Sequence, residues 1–413
     1  MSFTYKNARL HVEGTPMAAV AEAYGTPCYV YSRAVIEANY RAYHTAFAAR
    51  DHRICYAVKA NGNLALLDVL ARLGASFDIV SQGELRRVEE AGGDLNTVTF
   101  AGVGKTRVEL ERSLAQRIGC FNVESVEEIE LLAAVATGLG VEAPVAVRVN
   151  PDVDAKTHPY IATGLNENKF GIPMEQAHAV YQRMAATRGL KIVGVACHIG
   201  SQLTSVGPIV DAAERVMGLV RAMAEDGINV EHIDIGGGLG IPYNEEQPPP
   251  ISVYVEAICR AIDPQYQVVI EPGRSIVGAA GALLAQVHYM KETPTKTFAV
   301  CDAAMTELIR PALYQAHHNV LPIIEGGQTR RVDVVGPVCE TGDFLARDRD
   351  LAISSGDLIA VMDCGAYGAV MASTYNARPR AAEVLVDGKE FYLVRERETL
   401  EQLFLGEHRL PKN

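Results

Sequence analysis

No run of apolar residues in this chain approaches the ~20 needed to span a bilayer, and Met1-Ser2-Phe3-Thr4-Tyr5-Lys6 has none of the charged-then-apolar pattern of an export signal. The expectation is a cytoplasmic protein with no membrane partner. Basic clusters are missing as well: 38 Lys and Arg against 50 Asp and Glu leave a formal charge of −12, which argues against nucleic acid as a partner. An acidic total does not exclude small anionic ligands, because local arginines can receive them. The eight cysteines (Cys28, Cys55, Cys120, Cys197, Cys259, Cys301, Cys339 and Cys364) form no C-x-x-C pair. Scattered in strand-like apolar runs, they read as free thiols in a reducing compartment, with no metal site. Low-complexity tracts and short-period repeats are not found.

At 413 residues and 48% hydrophobic, the chain is long enough for two or three domains and a large buried interior. Residues 1 to about 31 read as short strands such as Cys28-Tyr29-Val30-Tyr31, with turns at Glu13-Gly14 and Gly25-Thr26-Pro27. Ser32 is placed to cap a helix whose apolar face is Ile36, Tyr40, Tyr43 and Phe47. A regular alternation follows. Apolar runs end near Lys59, Val80, Ala101, Val123, Asn150, His198, Ile235 and Ile270, separated by amphipathic stretches such as 84–91, 107–117, 125–136, 175–186, 209–224 and 253–262. Eight strands alternating with helices predict a (β/α)8 barrel over residues 32–275, of the kind whose active sites sit at the C-terminal rim of the strands. Beyond Ile276 strand patterns dominate, as in 281–289, 297–301, 331–335, 358–362, 382–386 and 391–394. They predict an all-β domain, a β-sandwich or β-barrel, built from 276–413 together with 1–31. The long connection Pro151–Ile172 is expected to act as a lid or interface element. Glu245–Pro250 reads as a surface loop.

The most telling residue is Lys59, in Tyr56-Ala57-Val58-Lys59-Ala60-Asn61. A lone lysine ending an apolar inner strand must be paired, neutralised or used in chemistry, and a desolvated lysine is what forms a Schiff base. A salt-bridged strand-end lysine is the plainer reading of that segment alone. Other unusual residues fall at the ends of neighbouring strands: Asp78-Ile79-Val80-Ser81, Cys197-His198-Ile199-Gly200-Ser201, Asp234-Ile235-Gly236-Gly237-Gly238 and Glu271-Pro272-Gly273-Arg274. Consecutive glycines let backbone N–H groups approach an anion, and with Gly273, Arg274 and Lys59 they suggest a phosphate cradle. Glu271 could hold Arg274 in a salt bridge or face a pyridine nitrogen; His198 could be a core histidine or stack on a planar ring. In the β domain, Arg310 and Tyr314 could share a face and receive a carboxylate. Cys339-Glu340 offers a thiol suited to proton donation, although a buried cysteine beside a surface glutamate is the plainer reading. Tyr367 sits between glycines, open to close approach.

Taken together these segments resemble the pyridoxal-phosphate-dependent decarboxylases with an alanine-racemase-like barrel. The likeness runs through Tyr-Ala-Val-Lys-Ala-Asn, Phe-Asp-Ile-Val-Ser (77–81), the His158–Ile172 loop, His-Ile-Gly-Ser-Gln (198–202), the triple glycine, Glu-Pro-Gly-Arg, Ile-Arg-Pro-Ala-Leu-Tyr (309–314), Cys-Glu-Thr-Gly-Asp and Gly-Ala-Tyr-Gly, nearly the whole chain. Gln82, where relatives often have glycine, is a minor departure. The resemblance implies that Lys59 carries pyridoxal 5'-phosphate, His198 stacks on its ring and Glu271 faces its nitrogen. Asp78, Ser201, Gly237, Gly238, Gly273, Arg274 and Tyr367 are expected on the cofactor side. Arg274, Arg310 and Tyr314 would hold a distal carboxylate of the substrate, with Glu340 near its distal amino group and Tyr367 completing the site. A homodimer with shared active sites is implied, Cys339 and Glu340 coming from the second subunit and Cys339 moving a proton. The reaction expected is decarboxylation of an amino acid with a carboxylated far end. An ornithine- or lysine-type decarboxylase, a paralogue acting on another carboxylated substrate and a non-catalytic carrier of the cofactor stay open as alternatives.

Overall fold

The computed structural model describes residues 3–154 and 169–412. The chain divides into two compact units, Ile36–Ile276 and Met1–Val35 with Val277–Asn413.

The first unit is a closed parallel barrel. Its strands are β1 (His52–Ala57), β2 (Ser76–Ile79), β3 (Thr99–Phe100), β4 (Cys120–Val123), β5 (Ala143–Asn150), β6 (Leu190–Cys197), β7 (His232–Asp234) and β8 (Gln267–Ile270). They pair in chain order, and β8 returns to β1 with Val268 opposite His52 and Ile270 opposite Ile54. The two-residue strand Ile172–Pro173 pairs with the end of β5. Helices alternate with the strands because the loops end in capping residues. Asn63, Ser81, Thr106 and Ser125 each accept a backbone N–H of the helix that follows, Thr106 in a full capping box with Glu109. Each cap contributes ~1 kcal/mol and fixes where the loop at the strand's C-terminal end stops. The strands are buried on both faces, as in β5, where seven of eight residues are inaccessible and Pro144 is half-buried. Between Ile192 and Gly194 the β5–β6 register shifts, and Tyr181 fixes the irregularity by donating to Gly194 O at 2.8 Å and accepting from Val147 N at 3.0 Å. Gly194 is required there, since a Cβ would lie 2.3 Å from His232 Nε2.

The second unit is mostly β. One nine-stranded sheet of the described residues runs in the order Phe344–Leu351, Arg330–Val335, Thr297–Cys301, Gly281–Glu292, Cys28–Ser32, Ala382–Asp387, Glu390–Arg395, with Val320–Pro322 and Leu358–Val361 branching from it. The N-terminal strand Cys28–Ser32 lies between Gly281–Glu292 and Ala382–Asp387, as its apolar pattern suggests. A core of Leu10, Val12, Met17, Val20, Val30, Leu284, Val384 and Val386 packs beneath, each such side chain contributing roughly 1.5–3 kcal/mol by burial. The first 31 residues are not all strands: Met17–Tyr24 is a helix. Met17 and Val20 turn inward at helical spacing, and the alanines between them favour that state. Phe344–Leu351 and the short helix Arg310–Tyr314 also escape the strand pattern. Ser32 Oγ does accept Val35 N, at 3.2 Å, at the head of the helix Arg33–Phe47, which buries Ile36, Tyr40, Tyr43 and Phe47. Among the described residues no helix is long and apolar enough to cross a membrane.

Candidate active site

Within the barrel unit the C-terminal strand ends gather the sequence-predicted residues. Strand β1 stops at Ala57, and Lys59 stands two residues further on, in the 3-10 segment Val58–Ala60, rather than on the strand itself. Its Nζ lies 2.5 Å from Asp78 Oδ2, where Asp78 on β2 is fully buried and the lysine head is partly accessible. Lys59 is thus salt-bridged, the plainer of its two readings, and its head also faces a cavity. That cavity, of about 390 Å³, is lined by Lys59, Asn122, Arg148, Phe170, His198 and Glu271 among others.

Glu271, just past β8, is buried, and its carboxyl is pushed well above the ordinary range first by burial and then by the charges of Asp234 and Asp78, against the opposing pull of Lys59. It makes no ion pair with Arg274 among the described residues. Arg274 instead donates to Tyr243 Oη at 2.7 Å and to Ser201 Oγ at 3.0 Å, which ties the loops after β6, β7 and β8 together. His198 is held neutral by burial and by the neighbouring cations Arg148 and Lys59. Its Nδ1 accepts the Gly237 N–H at 3.2 Å, which places the ring proton on Nε2.

The triple glycine is used differently from a simple cradle. Gly236 N–H is bound by Asp234 Oδ1 at 2.8 Å and Gly237 N–H by His198, which leaves Gly238 N–H, among the described residues, for an anion. Gly236 (φ +69°) and Gly238 (φ +126°) need left-handed backbone, and a Cβ on Gly237 would stand 2.2 Å from Glu271 O. The glycines are there as much for close packing of two strand ends as for ligand access.

Three residues at this end of the barrel were not singled out by the sequence reading, and two of them, Asn122 and Arg148, line the cavity. Asn122, one residue before the end of β4, donates to both Asp234 Oδ2 and Glu271 Oε1, at 3.2 and 3.4 Å. Arg148 on β5 pairs with Glu124 at 3.0 Å, stacks its guanidinium 4.8 Å from the Phe170 ring, and has a buried Nη2 with no partner among the described residues. Tyr243 anchors Arg274. The signal that exposed Lys59, a polar residue inside or ending an apolar barrel strand, applies equally to Val147-Arg148-Val149 and Phe121-Asn122-Val123.

The β unit holds its candidates separately. Arg310 is buried, donates from Nε to His318 Nε2 at 3.3 Å and lies 5.7 Å from the Tyr314 ring, so the two do share a face. Cys339 is exposed, against the plainer expectation of a buried cysteine, and its N–H is held by Asn376 Oδ1 at 3.1 Å. The turn Val338–Asp343, closed by Asp343 Oδ2 on Val338 N, turns the thiol outward. Glu340 is exposed and accepts from Tyr375 Oη at 2.7 Å; Tyr367 has φ +55°. Most of Pro151–Ile172, including His158, lies outside the described residues.

The barrel residues suit pyridoxal phosphate. A partly accessible lysine over a buried carboxylate, a second buried carboxyl on the same cavity, a buried guanidinium nitrogen wanting an acceptor, and Arg274 with Ser201 and Gly238 on one flank answer to an aldehyde, a ring nitrogen and anionic oxygens. Residues 33–278 match the pyridoxal binding domain of pyridoxal-dependent decarboxylases. The chain belongs to the pyridoxal-dependent decarboxylases. This decarboxylase is 57% identical to the diaminopimelate decarboxylase of Pseudomonas aeruginosa, over 100% of both chains. It is 53% identical to that of Pseudomonas fluorescens, again over 100% of each. Among solved structures it is similar to the diaminopimelate decarboxylase of M. jannaschii in complex with L-lysine, with a TM-score of 0.95 and 38% identity over 99% of this chain and 98% of that one.

Proposed function

We propose that this decarboxylase converts meso-2,6-diaminopimelate to L-lysine and CO2 with pyridoxal 5'-phosphate as cofactor. The observation that carries the chemistry is Lys59 held over buried Asp78 on the cavity that Glu271 also lines. The observation that carries the substrate is full-length identity above half to proteins named for it.

When bound, pyridoxal phosphate supplies the electron sink for the carbanion that loss of CO2 leaves at the α-carbon. The protein's part is to hold, orient and move protons. Lys59 is the residue that holds the cofactor, and Asp78 fixes its ammonium and can take up the proton that an attacking amine must lose. His198 presents a neutral ring, its tautomer set by Gly237, and Glu271 is the partner of a ring nitrogen. Arg274, Ser201, Gly237, Gly238 and Gly273 form the phosphate side, with Tyr367 assigned beside them.

Arg310 and Tyr314 are assigned to the distal carboxylate together with Arg274. A guanidinium prefers that group to the terminal ammonium of ornithine or lysine, which it would repel. Cys339 is assigned to proton transfer and Glu340 to the distal amino group, both supplied by the second subunit of a cytoplasmic homodimer; the exposure of both residues supports a role toward another copy. In domain terms, residues 32–275 form the barrel that binds the cofactor, and 1–31 with 276–413 form the β domain.

Replacing Lys59 by Ala is the direct test of the cofactor assignment. Wild-type protein should show a visible cofactor absorbance that borohydride traps covalently on the chain, and K59A should show neither. Covalent trapping in K59A would move the assignment to another lysine, and a wild-type protein that takes up no cofactor would end the proposal.

A further inference from the structure

Beneath Glu271 lies a layer of buried polar groups to which the roles above give no work. Asn122 directs one amide nitrogen at two carboxyl groups, Asp234 Oδ2 and Glu271 Oε1, and the other Asp234 oxygen takes the Gly236 N–H. Asp234 and Asn122 are almost wholly inaccessible and Glu271 nearly so. Among the described residues, the N–H donors that meet these four carboxyl oxygens are the Asn122 amide and the Gly236 N–H, and the two carboxyl groups hydrogen-bond each other. Two ionised carboxylates this close and this dry repel strongly, and such pairs keep one proton between them.

We propose that Asp234 and Asn122 are positioning residues for Glu271, with Asp234 and Glu271 sharing a single proton that Asn122 orients. The proposal rests on Glu271 as partner of the ring nitrogen and deepens that assignment. If Asp234 carries the proton, its O–H and the Asn122 N–H both donate to Glu271, which is then free to be the anion that a protonated ring nitrogen needs. The layer holds one proton and one negative charge before and after the ring is bound, so the proton of the ring nitrogen would arrive with the cofactor.

The surroundings agree with a shared proton. Burial raises Asp234 to about 6, opposed by its hydrogen bonds with Glu271, Gly236 and Asn122 in that order and helped a little by the charge of Asp78. The other titratable groups facing the layer are Asp78, Lys59, Arg148 and His198 at the rim, with Arg53 and the thiols of Cys55, Cys120 and Cys197 on the barrel side. All three thiols are pushed up, by burial first and then by Asp234 and Glu271, with Arg53 opposing at Cys55 and Cys120 and Arg148 at Cys197. They stay neutral and cannot take the proton's place. Lys59 is engaged with Asp78, so the proton belongs to the pair.

Infrared difference spectroscopy on the full-length chain at neutral pH, with and without pyridoxal phosphate, tests this. The wild type should show the C=O stretch of a protonated carboxylic acid, shifted in deuterium oxide, that is lost in both Asp234→Asn and Glu271→Gln and kept, at a displaced frequency, in Asn122→Leu. Asp234→Ser is the second variant in case two amide groups oppose each other in Asp234→Asn. In either Asp234 variant Glu271 loses its like-charged neighbour and ionises. A band that survives in the Asp234 variants, or in Glu271→Gln, would place the proton on one group alone and overturn the pair, as would its absence from the wild type. The cofactor-free spectra give this answer even if the chain binds no pyridoxal phosphate, an outcome that would sink the proposed function instead.

Discussion

Lys105→Met offers a sharp test of how the rim beside the cavity is held together. The ammonium is inaccessible and makes three bonds, to Gly102 O at 2.6 Å, Asn122 O at 2.8 Å and Glu128 Oε1 at 2.7 Å, with the Phe100 ring 5.4 Å away. Methionine fills the space but removes the Lys105 donor from the half-buried Gly102 carbonyl, the buried Asn122 carbonyl and Glu128 Oε1, whose other oxygen keeps the Glu124 N–H. Breaking one side of a buried ion pair costs about 3–5 kcal/mol, and the unsatisfied carbonyls fall within that figure. For a unit of this size, each kcal/mol lowers Tm by about 2–4 °C, so a fall of roughly 6–20 °C is expected. The pH dependence carries its own sign. Burial already raises the Glu128 carboxyl while Lys105 pulls it down, so without Lys105 the folded form holds its proton to higher pH than the unfolded chain. The neutral acid is tolerated at low pH, and the deficit relative to wild type should grow as pH rises through that raised value. Urea unfolding followed by circular dichroism at several pH values measures this, and Lys105→Met/Glu128→Gln should recover part of the loss. A deficit under about 1 kcal/mol, or one that shrinks as pH rises, would refute the reasoning.

Two further outcomes follow from the barrel. His232 is held down to about 4 by burial and by Arg53, so the folded protein binds it as the neutral form. Its contribution is present above the ordinary histidine value and is lost as pH falls toward 4; at about 1.4 kcal/mol per pKa unit this amounts to about 3 kcal/mol. His232→Gln should flatten the acid limb of the stability curve by that amount, and an unchanged limb would count against it. Gly237→Ala places a Cβ 2.2 Å from Glu271 O, where only backbone can yield. Overpacking of this kind costs about 1–3 kcal/mol or more; Tm should fall and cofactor occupancy with it, whereas full occupancy at unchanged Tm would show the strand ends to be looser than drawn.

Much of this architecture was legible because the barrel repeats one physical pattern, an apolar strand, a polar end and a capped helix. Lys59, Asp78, His198 and Glu271 stood out as polar residues where burial is expected, and the structure brings them to one unit's rim. Arg148 and Asn122 obey the same rule but lie within their strands, not at a glycine-marked strand end. Lys105 left no trace, since its burial depends on Glu128, a residue 23 positions away whose spacing looks like an ordinary helix face. The Met17–Tyr24 helix was missed because eight residues, four of them alanine and only Glu22 charged, fit either period. The exposure of Cys339 follows from the Val338–Asp343 turn, which composition does not reveal.

The most direct measurement incubates the purified, cofactor-loaded protein with meso-diaminopimelate and, separately, with ornithine and lysine, following CO2 and the amine product. Release of CO2 with L-lysine from diaminopimelate, and little or none from the other two, is the predicted result. Turnover of ornithine with diaminopimelate untouched would contradict the assignment of the Arg310 face to a carboxylate, and the function with it.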